Sequence, residues 1–244
     1  MCKKVTIISD QARRLDMEDR HILDVDFRGK GEVFGGVYDG HCGWEAADYV
    51  ARNLHQRFQE FLAKQSPDKA FITAYLTISD EITTTDGTCA ANFYLKGKNI
   101  YWANVGDCRI IVIGKEVKQL TVLHRVSNDS EKERVAKAGA IIKGQYAHRP
   151  DNGGLMPLRT LGDLEFKEIG IIATPSTGVY EIKPSDKYLI AGTDGLFDVI
   201  TKEDISQLIK RRRSVEVVGR ILKEEVLNKR FGEDNLTMIV LKLN

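Results

Sequence analysis

Val33-Phe34-Gly35-Gly36-Val37-Tyr38-Asp39-Gly40-His41-Cys42-Gly43 is the stretch on which the reading of this chain turns. An apolar, β-prone run stops at Asp-Gly-His. A carboxylate at a strand end is a firmly placed hard-oxygen ligand. The glycine beside it leaves its carbonyl open, and backbone carbonyls also coordinate hard cations. The adjacent histidine can move a proton near neutral pH. The plainer alternative is a simple turn, because Asp-Gly is a strong turn signal. A second stretch, Tyr188-Leu189-Ile190-Ala191-Gly192-Thr193-Asp194-Gly195, repeats the layout. Two strand-end carboxylates from distant parts of the chain can then converge on one sheet framework.

Composition narrows the classes. The chain has 244 residues, with 36 Lys+Arg against 35 Asp+Glu, a formal net charge of +1. That balance gives no footing for binding nucleic acid or other polyanions. The length suits one large domain or two small ones. No linker, low-complexity tract or solenoid repeat divides it, so a single domain over 1–244 is expected. No run is long enough to span a membrane, and Met1-Cys2-Lys3-Lys4 opens no secretory signal. Cys2, Cys42, Cys89 and Cys108 are scattered without a Cys-x-x-Cys pair. That spacing argues against zinc and against a disulfide framework. A cytoplasmic or nuclear location is the default. The one basic run, Lys210-Arg211-Arg212-Arg213, reads as a helix C-terminus complementing its dipole. Its alternatives are nuclear targeting or docking to an acidic partner.

Periodicity sets the elements. Strands are expected at Val5 to Ser9, His21 to Phe27 and Glu32 to Tyr38, the last closing on Asp39. Ala47, Val50, Leu54, Phe58 and Phe61 recur at helical steps within a long helix from Trp44 to Ala63. Ser66-Pro67 restarts a helix as N-cap and first helical residue. Asp86 to Gln119 reads as an antiparallel meander. Ser130 with Glu133 suggests a capping box. Thr201 and Ser214 each cap a later helix, and Leu236 to Leu243 is a final strand. Strand blocks with helices grouped outside them point to an α+β domain of stacked sheets.

Glu18, Asp19, Asp39, Asp107, Asp194, Asp198 and Asp234 all fall at predicted strand ends or tight turns. Singly, each is ordinary loop chemistry. Together they suit Mg²⁺ or Mn²⁺, because an oxygen-rich set without clustered His or Cys does not favour zinc. Several carboxylates can hold two divalent ions close together, which activates water and clamps a phosphoryl group. Arg14 lies four residues before Glu18, and its planar fork suits phosphate oxygens.

These residues fall in segments that resemble the metal-dependent Ser/Thr protein phosphatases of the 2C class (the PPM family). The segments include Arg14-x-x-Met17-Glu18-Asp19, Tyr38-Asp39-Gly40-His41-Cys42-Gly43 and Asp86-Gly87-Thr88. Ala103-Asn104-Val105-Gly106-Asp107-Cys108-Arg109 and Arg159-Thr160-Leu161-Gly162-Asp163 follow in order. Thr193-Asp194-Gly195-Leu196-Phe197-Asp198 and Asp234-Asn235-Leu236-Thr237 complete the series. The resemblance spans almost the whole chain. It implies a four-layer α-β-β-α sandwich, two antiparallel sheets flanked by helix pairs. It also implies hydrolysis of phosphoserine and phosphothreonine in proteins through a hydroxide bridging two Mg²⁺ or Mn²⁺ ions. By the same resemblance Asp39 bridges the ions. One ion also takes Asp194 and Asp234, and the other takes Glu18 and the Gly40 carbonyl. Asp107 and Asp198 match a third, weaker ion. Arg14 holds the phosphate and His41 protonates the leaving oxygen.

The sequence departs from the family at Leu123, Leu158 and Cys108, where Asp, Ser and Ser are usual. Cys42 lies in no Cys-x5-Arg loop and is not expected to be a nucleophile. Residues 143–154 match a variable flap, with His148, Arg149 and Asp151 as candidate substrate contacts. The expected partners are phosphorylated proteins, with no nucleic acid and no membrane, and the expected state is a monomer. The rival readings are a pseudophosphatase kept as a binding scaffold and a hydrolase for some other phosphoester.

Overall fold

The computed structural model describes residues 4–150, 153–211 and 214–244. Strands β1 (Val5–Asp10), β2 (Arg20–Asp24) and β3 (Val33–His41) come first, followed by helices α1 (Glu45–Leu62) and α2 (Pro67–Glu81). Strands β4 (Gly87–Lys96), β5 (Asn99–Val105), β6 (Arg109–Ile113) and β7 (Val117–Gln119) lead to α3 (Asp129–Lys137). Four short strands come next: β8 (Ile141–Lys143), β9 (Tyr146–His148), β10 (Gly154–Leu155) and β11 (Leu161–Gly162). A 3-10 turn at Leu164–Ile169 precedes β12 (Ser176–Glu181) and β13 (Tyr188–Gly192). Helices α4 (Asp194–Phe197), α5 (Lys202–Ile209) and α6 (Val215–Glu224) then run through a π-helical turn to β14 (Leu236–Lys242).

Two antiparallel sheets form the centre. One has the order β1-β14-β13-β6-β7, and the other β12-β5-β4-β3-β2, with β11 extending the pairing of β4. A small sheet, β10-β9-β8, sits apart. Alternation along the strands explains the layering. Val37, Ala91, Phe93, Ile110, Val112, Leu189 and Ile239 face inward between the sheets. Phe34, Tyr38, Ala90 and Tyr94 point the other way, against Val50, Leu54, Phe58, Phe71 and Tyr75 of α1 and α2. Ile111, Ile190, Met238 and Val240 meet Ile205, Ile209, Val218 and Leu222 of α5 and α6. The result is a helix pair, two sheets and a second helix pair. Each large apolar side chain so buried contributes about 1.5–3 kcal/mol.

One polar chain crosses the α1–α2 side of this core. Asn92, fully buried in β4, accepts from the Tyr75 hydroxyl at 2.7 Å and donates to the Tyr38 hydroxyl at 2.8 Å. Both ends of the amide are therefore satisfied, as burial requires.

Several expectations are corrected. The run from Asp86 to Gln119 is not one meander, because β5 and β6 belong to different sheets. The turn between them crosses the sandwich. The strand after Arg20 ends at Asp24, where its side chain accepts from the Asp26 amide at 3.0 Å and turns the chain. Helix α3 begins at Asp129, and Ser130 donates instead to the Asn128 side chain at 2.8 Å. Glu133 makes no capping box and is solvent-exposed beside Lys137. The box at Thr201 and Asp204 is present, and Ser214 caps α6 through the Val217 amide. Cys2, Asp151, Arg212 and Arg213 lie outside the described residues.

Candidate metal centre

The topology delivers the acidic residues to one end of the sandwich. The C-terminal ends of β1 and β13 and the N-terminal ends of β6 and β14 share that end of the first sheet: Asp10 pairs with Leu236, and Gly192 pairs with both Met238 and Arg109. The second sheet brings the end of β3 to the start of β4, with Asp39 opposite Cys89 and His41 opposite Gly87. Asp39 therefore lies inside a strand, and the turn reading of Asp39-Gly40 fails. Asp194 opens α4 directly after β13. Asp107 sits in the crossing turn between β5 and β6. The two Asp-Gly stretches thus come from facing sheets.

Both glycines are required by close backbone approach. A Cβ on Gly40 would lie 2.6 Å from the Glu18 carbonyl oxygen, and one on Gly195 would lie 2.0 Å from that of Asn235. Cys42, at φ 61°, turns the chain after β3. The next amide, Gly43, then donates to the Glu18 carboxylate at 2.7 Å.

Carboxylate oxygens of Asp39, Asp107 and Asp194 lie within 4.8 Å of one another. They line a cleft of about 360 Å³ together with Arg14, Glu18, Gly40, His41, Cys42 and Asp234. Tyr146, Gly154, Leu155, Met156 and Pro157 form its other wall. Glu18 and Asp234 thus share the cleft but stand outside the tight group. Asp198 lines an adjoining hollow with Arg13, Arg14, Asp194, Glu233 and Asp234. His148 and Arg149 are not among the cleft-lining residues, and Arg149 pairs with Glu165 and Glu168.

Electrostatics marks this cluster as short of positive charge. Burial, then the charges of Asp194, Asp19, Asp107 and Asp234, hold the Asp39 carboxyl well above the usual carboxylate range. Burial and the neighbouring acids Asp107, Asp234 and Asp198 push Asp194 up to about 7. Asp19 is buried behind them, accepts from the Thr193 hydroxyl at 2.9 Å and is likewise pushed to about 7, chiefly by burial. Like charges packed this closely are relieved either by taking up a proton or by a cation. An all-oxygen donor set of this kind fits Mg²⁺ or Mn²⁺.

Other side chains complete the site. His41 Nε2 lies 2.8 Å from an oxygen of Asp163, which is itself buried. Burial opposes a charged imidazole here, yet the hydrogen bond and charge of Asp163 outweigh it and raise the His41 pKa. Arg14 donates to Asp234 at 2.7 Å. Asn235 ties the acidic segments together. Its side chain accepts from the Glu18 amide at 2.8 Å and donates to the carbonyls of Gln11 and Asp16. Cys42 is raised by burial and by Asp163, Glu18 and Asp86, which keeps it a thiol.

Sequence reasoning gave Asp163 no role and passed over Arg125. Arg125 donates to Asp107 at 2.6 Å, to Asp198 at 2.8 Å and to Asp194 at 3.3 Å. Asp163 closed one of the segments that resemble the family but carried no assigned role, and Arg125 lay in none of them. Asp163 reaches His41 from a left-handed backbone (φ 49°) after β11, far along the chain. Arg125 follows a loop whose partners are set only by tertiary packing. Of the departures, Leu158 and Cys108 are fully buried, and Cys108 lies close enough to Asp39 and Asp107 for their charges, with burial, to raise its thiol pKa.

Comparison with known proteins bears on the family and on the fold. The family model described as Protein phosphatase 2C matches residues 4–231. "Protein phosphatase 2C homolog 1" of Schizosaccharomyces pombe is 32% identical over 96% of this chain and 71% of its own length. "Probable protein phosphatase 2C 14" of Arabidopsis thaliana is 28% identical over 94% of this chain. The chain spans 52% of that plant protein and 60% of a mitochondrial "Protein phosphatase 1K" from Xenopus laevis. The fold matches a serine-threonine phosphatase 2C from Toxoplasma gondii with a TM-score of 0.86 at 19% identity, over 99% of this chain and 95% of that one.

Proposed function

Because this chain belongs to the protein phosphatase 2C family, we propose that it is a metal-dependent phosphatase that hydrolyses phosphoserine and phosphothreonine in proteins. The observation that carries the reading is the tight, charge-deficient group of Asp39, Asp107 and Asp194 in an open cleft. Asp39 and Asp194, with Glu18, Asp234 and the Gly40 carbonyl along the same cleft, would hold two Mg²⁺ or Mn²⁺ ions. Such ions, when bound, acidify water near neutral pH and neutralise phosphoryl charge.

The chain's own residues supply the rest. His41, whose Nε2 is held by Asp163 and whose pKa that carboxylate raises, gives the proton on its other ring nitrogen, Nδ1, to the serine or threonine oxygen as the P–O bond breaks. An alkoxide is a poor leaving group, so this proton matters most for alkyl esters. Asp163 fixes the ring and stabilises its charge. Arg14 holds the phosphoryl oxygens. Its pairing with Asp234 is an observation that would favour a non-catalytic scaffold. Yet both side chains are exposed, 56% and 40%, and such pairs are worth about 0–1 kcal/mol. A phosphate dianion displaces that contact readily.

We read the protein further as one phosphatase domain over 1–244, monomeric and cytoplasmic or nuclear. No helix among the described residues is long and apolar enough to cross a membrane. The test is release of phosphate from a phosphothreonine peptide with Mn²⁺, with EDTA as control. Turnover that needs Mn²⁺ is expected. A folded protein inert in Mn²⁺ would instead support the scaffold.

A further inference from the structure

The loop that carries Arg14 and the loop that carries Asp234 share a surface that the chemistry above leaves unused. Arg13 N donates to the Glu233 carbonyl at 3.2 Å, which ties the two loops together. Arg13 and Glu233 line a hollow that shares Arg14, Asp194 and Asp234 with the metal cleft. Leu15 and Phe231 stand on these loops. They are the two most exposed large apolar side chains among the described residues, at 94% and 63%. A single exposed apolar residue needs no explanation. Two on tied segments, beside the residue that takes the phosphate, mark an interaction surface. We propose that Leu15 and Phe231 form a docking rim for the substrate polypeptide, which selects a large apolar residue close to the phosphorylated serine or threonine.

Neither side chain is explained by packing. Phe231 follows Arg230, the C-cap of the π-helical turn, and has φ 56°. A left-handed residue at that position ends a helix, and Gly232 N then donates to the Val226 carbonyl at 2.9 Å. Glycine takes this conformation without steric cost, whereas a bulky side chain is strained in it. The backbone therefore asks for glycine at 231, and a phenylalanine left in water there is unfavourable on both counts. The Arg13 guanidinium lies 5.9 Å from the ring centroid, but an exposed contact of that kind is weak and does not account for the ring. Strain of this kind collects where a chain binds something. Leu15 is presented by a shaped loop. Gln11 Nε2 donates to the carbonyls of Arg14 at 2.9 Å and Leu15 at 2.7 Å. Asn235 holds the carbonyls of Gln11 and Asp16 at 2.9 and 3.1 Å. The backbone is thus fixed on both sides of Leu15 while its side chain stays in solvent. A phosphorylated residue held by Arg14 lays its chain neighbours across this rim. Arg13 and Glu233 offset each other's charge at 3.5 Å, so the rim has no surplus charge to draw an acidic or basic neighbour. What it offers is apolar area.

The inference rests on the phosphatase reading above, and steady-state kinetics separates the two. Phosphothreonine peptides with alanine at every flanking position are compared with peptides that carry a single leucine, glutamate or arginine moved through those positions. p-Nitrophenyl phosphate serves as a substrate without flanks. Wild type with Mn²⁺ is expected to favour leucine at particular positions by about tenfold in kcat/KM, as a partly covered leucine would give. Phe231→Gly should erase most of that preference by raising KM with kcat unchanged, as loss of uniform binding does. Its rate on p-nitrophenyl phosphate should stay at the wild-type level, and its melting temperature should hold or rise. Phe231→Tyr keeps the ring and should keep the preference, and Leu15→Ser should lose part of it. Wild type that turns over all the peptides alike, or that favours glutamate or arginine, would overturn the inference and leave the phosphatase reading standing, whether or not any variant folds. A folded Phe231→Gly that keeps the leucine preference would overturn it too. So would one that melts well below wild type, since the ring would then be packing. Wild type inert on every peptide would overturn both readings.

Discussion

Two acid clusters, one around Glu131 and one in the cleft, have opposite charge balance. In one, Glu131 is almost fully buried and is held by Arg159 at 2.6 Å and by Arg134. Burial works against its charge, but two arginines overcome it and bring the carboxyl below its usual range. In the other, Asp39 and Asp194 lie near Asp107, Asp19 and Asp234, and Arg125 only partly offsets them. Their carboxyls rise. Burial of an acid is thus no sign of function by itself. The sign is a deficit of positive charge that the protein does not fill. Glu131 joins α3 to the Arg159 segment as structure, and the open cluster is the one proposed here to hold metal.

The largest effect that tests this contrast is on turnover. Asp39→Asn should lower Mn²⁺-dependent phosphatase activity at least about 10³-fold, since a metal's charge stabilisation is worth several kcal/mol at 1.36 kcal/mol per tenfold. The melting temperature in EDTA should hold or rise, because a repelling charge is gone. Retained activity would remove Asp39 from the ion pair. Glu131→Gln should do the reverse. Leaving two half-buried arginines short of a charge should cost about 3 kcal/mol, near 6–12 °C in melting temperature for a domain of this size. The folded fraction should keep its Mn²⁺ affinity. A variant as stable as wild type would mean that the two clusters do not differ as argued.

Asp163→Asn sharpens the comparison within the open site. Losing the general acid's partner should slow alkyl phosphates about 10²-fold and aryl phosphates much less. The alkaline limb of the rate profile should also move to lower pH, since the His41 pKa is held up by Asp163. Equal losses on both substrates with an unmoved limb would leave Asp163 structural only.

The smallest effect is the pH dependence of the metal-free protein. Asp194 and Asp19 are raised from 3.8 to about 7, so between those values the folded state binds more protons than the unfolded one. Stability must therefore fall as pH rises through that window. Melting in EDTA should be higher at pH 5 than at pH 7.5, and added Mn²⁺ should reverse the order. A melting temperature that rises with pH in EDTA would contradict the charge deficit.

Much of this was legible because periodicity survives in the sequence. The α1 stripe, the capping box at Thr201 and the two apolar runs ending in Asp-Gly were all readable locally. The crossing turn at Asp107 was not, since a Gly-Asp step looks alike whether it closes a hairpin or passes between sheets. Glu131 was overshadowed by the exposed Glu133 two residues on, because spacing does not report which side of a short helix is covered. Asp163 and Arg125 reach their partners from distant loops, where local propensity carries no information about direction.

The most direct test of the central claim is anomalous diffraction at the manganese edge from crystals grown in Mn²⁺. The account predicts density flanked by Asp39 and Asp194 at the end of the sandwich. A map with no peak among these carboxylates would contradict it.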